Sequence, residues 1–240
     1  RVTNMSVHTE PVSSAPATSV EEAITTRHSM RAFLSDPISK QEITEILEVS
    51  ARAPSGTNSQ PWMTYVLAGE AKAALSAGIL KDFDTGGAGH QAEIPIYPEE
   101  FVEPYLGRRR KVGWDLYGLL GIEKGDKDKM HAQHAKNFRF FDAPIGLITT
   151  MHRGMPASNI LDLGMYLENI MLAARAKGMH TCPQVAFTQY HKVIREHLPI
   201  DDDEIVMCGM SLGYADPDAV ENTLVTDRAP LEDHAQFLGF

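Results

Sequence analysis

The chain is short of cysteine, short of positive charge and short of unbroken apolar runs, and each shortage closes off a class of function. Cys182 and Cys208 are the only cysteines in 240 residues. Two are too few for a disulfide framework, and no apolar signal segment precedes the first expected helix, so a cytoplasmic location is expected. The formal net charge is −10, with 22 Lys and Arg against 32 Asp and Glu. Such a chain repels phosphate backbones, which argues against nucleic acid as a partner, and any phosphate it binds must be gripped by a local arginine cluster. The longest apolar runs, such as 143–151, are interrupted well before the ~20 residues a bilayer crossing needs, so no membrane span is expected. What is present is 43% hydrophobic and 22% charged residues, enough for one globular domain with a sizeable core.

Residues 1–18 are rich in Ser, Thr, Pro, Val and Ala without periodicity and read as a flexible N-terminal arm. Arg1–Asn4, ahead of Met5, read as an upstream remnant. Residues 19–240 read as a single domain. Ser19-Val20-Glu21-Glu22 and Ser39-Lys40-Gln41-Glu42 both have the form of a capping box, so helices should start after Ser19 and Ser39. In the second helix Ile43, Ile46, Leu47 and Ser50 follow helical spacing, with closure near Ala53-Pro54. Strands are expected at 62–68, 143–151, 181–187 and 204–212, the second buried and central in the sheet. Helices are expected at 70–77, 189–198 and 158–177. The last is apolar around much of its circumference, hence buried, and ends at Gly178. The segment of about 81–141, with Gly86-Gly87-Ala88-Gly89 and helices near 99–120 and 126–138, reads as a lid or dimer-contact insertion. The alternation gives an α+β class: a mixed central sheet flanked by helices.

Two stretches carry the chemistry. Arg27-His28-Ser29-Met30-Arg31 sets two guanidinium groups around a hydroxyl, a combination suited to phosphate. Residues 52–62, Arg-Ala-Pro-Ser-Gly-Thr-Asn-Ser-Gln-Pro-Trp, form a turn of small polar residues between helix and strand that can hold a flat polar ligand. Together they resemble the FMN-dependent nitroreductase family, as do Cys182-Pro183-Gln184-Val185 and the segment 224–230 with its Arg228-Ala229-Pro230. The four segments occur in family order over most of 20–230. The family is expected to form an intertwined homodimer with FMN in the interface.

The resemblance implies roles residue by residue. Arg27 and Arg228, with His28 and Ser29 nearby, would serve the FMN phosphate and ribityl chain, and Arg31 the pyrimidine edge that gains negative charge on reduction. Pro54, Ser55, Gly56 and Asn58 would reach the partner's flavin. Pro183, Gln184 and Val185 would lie near flavin N5 through their backbone, and Asn137 near the pyrimidine. Thr226 stands where many relatives carry lysine. The implied activity is hydride transfer from NAD(P)H through the flavin to a small nitroaromatic or quinone by ping-pong turnover, with no protein side chain in covalent or proton-transfer work and no metal. Reductive dehalogenation or enone reduction on the same scaffold, and flavin binding without catalysis, are alternatives.

Outside that pattern the same residues have plainer readings. Arg27 and Arg31 suit a helix C-terminus, Asn58 an Asx turn, Pro61 and Trp62 packing. Cys182 reads as a small apolar residue. Gly209-Met210-Ser211-Leu212-Gly213 matches a hydrolase nucleophile elbow with Asp216, Asp227 and His234 following, but Pro217 breaks the helix an elbow requires. His131 and His134 share a helix face without a third ligand, and Arg108–Arg110 read as a surface patch or an anion contact for the pyridine nucleotide.

Overall fold

A computed structural model describes residues 7–240; the remnant at 1–4 and the next two residues of the arm lie outside it. The first helix, α1 (Val20–Thr26), starts where Ser19 caps it, its hydroxyl accepting from the Glu22 amide at 3.1 Å. The reciprocal half of that box is not made. The Glu22 carboxylate turns instead to Thr18, which offers two donors, amide and hydroxyl, each at 2.7 Å. In α2 (Lys40–Ser50) both halves of the Ser39–Glu42 box form, satisfying two amides that otherwise lack partners.

The sheet has four strands among the described residues: β1 (Trp62–Leu67), β2 (Ile145–His152), β3 (His180–Gln184) and β4 (Glu204–Gly213), in the order β1-β2-β4-β3. Every neighbouring pair is antiparallel. The parallel component of the expected mixed sheet is one isolated bridge, Ser29 to Thr181. As expected, β2 is interior, and Ile145–Met151 are buried without a break, because helices cover both faces. On one face α2 and α6 (Asn159–Arg175) pack Ile43, Ile46, Tyr166 and Ile170 onto Leu147 and Leu212. On the other, α3 (Gly69–Asp84) and α7 (His191–His197) pack Leu75, Ile79 and Val193 with Phe138, Phe140 and Phe187 onto Ile148 and Val206.

Several elements differ from the sequence reading for local reasons. Helix α3 runs through Gly78 to Asp84 rather than stopping at Ala77, since a Cβ on Gly78 would lie 2.7 Å from His197 and only glycine allows α3 and α7 so close. The excursion is narrower than 81–141: it holds α4 (Tyr105–Leu119) and α5 (Lys127–Ala135), whereas 136–142 return to the core with Phe138, Phe140 and Phe141 buried. Helix α4 buries no residue. Strand β3 stops at Gln184, after which a 3-10 turn, Val185–Tyr190, drives Phe187 into the core to stack on Phe140 at 4.4 Å. Helix α6 is not buried all round, since Leu161 and Met165 are 73% and 39% exposed. Residues 7–18, part of the expected flexible arm, run along the domain: Thr9 bridges Leu224 and the Ala17 amide donates to Arg175 O.

The Phe140–Phe187 stack needs glycine on the strands it faces, Gly146 on β2 and Gly209 on β4. A Gly209→Ala methyl collides with the Phe187 ring, and urea unfolding should register a loss of about 1–3 kcal/mol. Gly113→Ala in α4 meets nothing within 4 Å and should gain up to about 1 kcal/mol from helix propensity. Equal effects at the two positions would contradict this packing.

Candidate functional site

Past Arg27, the chain leaves α1 as an extended strip against β3. The Met30 amide donates to Thr181 O at 3.1 Å, and Met30 and Phe33 are buried with Phe141, Ala143 and Cys182. Alternation then turns Ser29 and Arg31 to the other side. Asn222 clamps the strip, its Oδ1 accepting from the amides of Arg31 (2.7 Å) and Ala32 (3.2 Å) while its Nδ2 donates to Ala32 O (2.8 Å). Among the described residues the Arg31 guanidinium meets no carboxylate and donates only to Ser29 O at 3.0 Å. Arg27 has a single loose partner, Glu168 at 3.6 Å.

Among the described residues Arg228 is bonded only within its own segment, to Thr226 O, Thr226 Oγ1 and Asp227 O. Thr226, standing where many relatives carry lysine, therefore holds a guanidinium in place. Lys111 of α4 lines the same cavity of about 270 Å³, but Asp115 and Asp227 neutralise it. Burial, then the charge of Arg27, holds the half-buried His28 imidazole below its usual range, with Arg228 and Arg175 adding to the effect. Arg228 shares its cavity with Asp115, Asp227 and Asp233, which pair with Lys111 and Arg108, so the three guanidinium groups keep donors free, suited to a bound phosphate and an anionic ring edge.

At the end of β3, Gln184 is locked: its Nε2 donates to Asn137 O at 2.7 Å and its Oε1 accepts from Ser211 Oγ at 2.5 Å. Asn137 thus meets Gln184 through its backbone, and its own amide turns back to His134 O. The same bonds dispose of the hydrolase pattern, because Ser211 is fully buried inside β4 and His234 lies on an exposed tail. Burial pushes the Cys182 thiol up despite Arg31, so it is no thiolate nucleophile. His131 pairs with Asp84 and stacks on Phe83, and His134 packs on Phe83 and Phe138.

Next to Gln184, the half-exposed Val185 lines a cavity of about 210 Å³ whose opposite wall is Ile94-Pro95-Ile96 from the excursion. That wall is tied down just before it begins. Glu93 meets Arg153 at 2.7 Å, His191 at 3.5 Å and Arg195 at 3.6 Å, and His90 meets Asp82 at 2.9 Å.

The 54–60 turn is built at the other end of α6. The Gly56 amide donates to Asp162 Oδ2 (3.1 Å) and Asn159 Nδ2 to Ser59 Oγ (3.2 Å), while Trp62 stacks on Tyr166 at 4.7 Å with the rings within 2° of parallel. Thr57, Asn58 and Gln60 adopt φ of 53°, 59° and 48°, a left-handed run of non-glycine residues that stores strain at an exposed turn. The Asn58 side chain makes no hydrogen bond among the described residues, so it is not an Asx cap and its amide is open to a ligand. Helix α6 spans 17 residues, about 25 Å. Thr26 and Arg27 contact it at Arg175 and Glu168, Gly56 and Ser59 at its first turn.

Several organising residues gave no signal in the sequence: Asn222, Asp162, Glu93 and Arg175. Arg175, 1% exposed, spreads its donors over Thr26 Oγ1, Met179 O and Ala15 O. Beside it His180 is buried with neither ring nitrogen bonded among the described residues. Burial, then Arg175 and His28, pushes its pKa down to about 3 from 6.5. The unfolded chain therefore takes up a proton that the fold refuses. Stability is complete above pH 6.5 and should decline as pH falls toward 3, by up to about 1.4 kcal/mol per pH unit. His180→Leu should flatten the decline between pH 6.5 and 4.5, above the main carboxylate range, in urea titrations at stepped pH.

Comparison with known proteins agrees with this geometry. Residues 24–214 match the Nitroreductase family. A 4-nitrobenzoate reductase of Nocardioides sp. (strain LMS-CY) is 38% identical over 231 residues, 95% of this chain and 94% of that protein. A 4-nitrobenzoate reductase of Pseudomonas putida is 39% identical over 92% of this chain and 96% of its own length. The crystal structure of the FMN and NADPH-dependent nitroreductase NfnB from Sphigopyxis sp. strain HMH superposes with a TM-score of 0.90 at 36% identity, covering 92% of this chain and all of that one. A match across most of the domain, joined to the arginine strip and the Asn58 turn, makes this chain a member of the nitroreductase family.

Proposed function

We propose that the chain is an FMN-dependent oxidoreductase that uses NAD(P)H to reduce nitroaromatic or quinone acceptors. The observation that carries this reading is the set of Arg27, Arg31 and Arg228: Arg27 and Arg31 flank the Ser29–Thr181 bridge to β3, the charges of Arg27 and Arg228 both reach His28, and none has an ion pair shorter than 3.6 Å among the described residues. FMN, when bound, would supply the redox chemistry that passes electrons from NAD(P)H to the second substrate in a ping-pong cycle. Arg27 and Arg228 would hold its phosphate, with His28 and Ser29 along the strip. Arg31 would serve the ring edge where reduction adds negative charge and so would favour the reduced form. Pro183 and the backbone of Gln184 and Val185 would hold the N5 side, with Asn137 bracing Gln184. Relatives named as 4-nitrobenzoate reductases support the acceptor class.

The site is completed by a second copy. Pro54, Ser55, Gly56 and Asn58, held at the first turn of α6 while Arg27 meets Glu168 further along it, serve the partner's strip. An apolar surface is available for that contact: Leu161 and Met165 on α6, with Val20 and Ile24 on α1, are all exposed. Helix α4, which buries nothing in its own chain, belongs to a lid or dimer contact. No helix among the described residues is long and apolar enough to cross a membrane, and the two cysteines are free, in keeping with a cytoplasmic enzyme.

Purified protein should be yellow, bleach with NADPH and recover its colour with a nitroarene. Arg27→Ala and Arg31→Ala should each weaken FMN binding roughly ten- to hundredfold, the worth of a charge-assisted contact. Leu161→Asp combined with Met165→Asp should turn a dimer into a monomer by light scattering. Colourless wild-type protein unable to take up FMN would overturn the reading.

A further inference from the structure

The excursion carries one arginine with no place in the cofactor site. Arg109 on α4 lies with its guanidinium carbon 4.9 Å from the Tyr97 ring centre and 4.8 Å from that of Phe101, the two rings being 5.8 Å apart. No carboxylate comes within the 4 Å of an ion pair among the described residues, although Glu99, Glu100 and Glu103 are near in sequence. The Glu103 carboxylate is engaged by the Gly107 amide at 3.0 Å. Its neighbour Arg108, by contrast, has Asp233 at 3.9 Å. Two aromatic rings therefore flank an exposed guanidinium that has no carboxylate partner among the described residues, in a chain of net charge −10. The N–H edge of such a group is a fork matched to a planar oxyanion.

Its position gives the anion a source. Tyr97 directly follows Ile96, and Ile94, Pro95 and Ile96 form the wall of the cavity faced by Val185, the residue proposed to lie near flavin N5. The Glu93 cluster pins that wall, so the Tyr97–Arg109 group is carried at a fixed place along the same strand of chain. An aromatic acid suits this cradle on two counts. Its carboxylate would meet the guanidinium fork, and its ring would lie against the Tyr97 and Phe101 pair, next in sequence to the cavity wall.

We infer that Arg109 is a specificity-determining residue that recognises the carboxylate of a carboxylated nitroarene, so that the enzyme prefers nitrobenzoate-type acids to neutral nitroarenes. This rests on the nitroreductase reading above. The test uses the FMN-loaded enzyme with 4-nitrobenzoate and its methyl ester, uncharged and larger by one methyl group, together with calorimetric binding of benzoate, which is not reduced. Wild type should favour the acid, and Arg109→Gln should lower kcat/KM for the acid roughly ten- to hundredfold, mainly through KM, with the ester changed less than about twofold. Benzoate binding should weaken in parallel, and Arg109→Lys should recover part of both. Acid and ester changing together, or neither changing, would overturn the inference. So would a raised KM for NADPH with equal loss on both acceptors, which would assign Arg109 to the pyridine nucleotide instead. Failure of wild type to reduce either nitroarene would refute the broader reading, a distinct outcome.

Discussion

The structure depends on one spacer, helix α6. Its first turn holds the 54–60 turn through Asn159 and Asp162, and further along it Glu168 meets Arg27 and Arg175 meets Thr26. Each motif is well made where it stands. The arginine strip is fixed by Asn222 and the β3 bridge, and the turn is fixed by a buried carboxylate and a stacked Trp62–Tyr166 pair. Neither can move toward the other without dismantling the core, because Tyr166 and Ile170 of the same helix are part of it. Proposing a shared site between two copies follows from that constraint and from the apolar face that α6 leaves uncovered.

Much of the fold was legible from local chemistry. The Ser39 box, the interior position of β2 and the end of α6 at Gly178, with φ of 76°, are decided by residues close in sequence. What was not legible depends on contacts across the chain. Gly78 looks like a helix end until α7 is seen pressing on it. Phe138–Phe141 look like part of an excursion until Gly146 and Gly209 reveal the room made for them on the sheet. Thr18 took the Glu22 carboxylate with its amide and hydroxyl together, a choice the capping-box pattern does not encode. In the candidate site, the arginines and the Asn58 turn could be named from the sequence because their types and spacing carry chemical meaning. The groups that hold them, Asn222 and Asp162, lie 191 and 106 residues away, and nothing local marks them.

Charge follows a related logic. The chain is acidic overall, and several of its cations, Lys111, Arg108, Arg153 and Arg195 among them, sit within 4 Å of carboxylates. Arg31, Arg228 and Arg109 do not. Arg31 is partly buried, whereas Arg228 and Arg109 are exposed, and each keeps its N–H fork free for an anion.

The claim that two copies build each site is tested most directly by mixing damaged subunits. Arg27→Ala spoils a subunit's own strip and Asn58→Ala spoils what it lends to its neighbour. Each variant alone should then be nearly inactive in FMN-dependent NADPH oxidation. Co-expressed in equal amounts, they should recover roughly a quarter of the wild-type activity, since half the dimers are mixed and each mixed dimer regains one intact site of two. A mixture no more active than the average of the two variants would contradict the account.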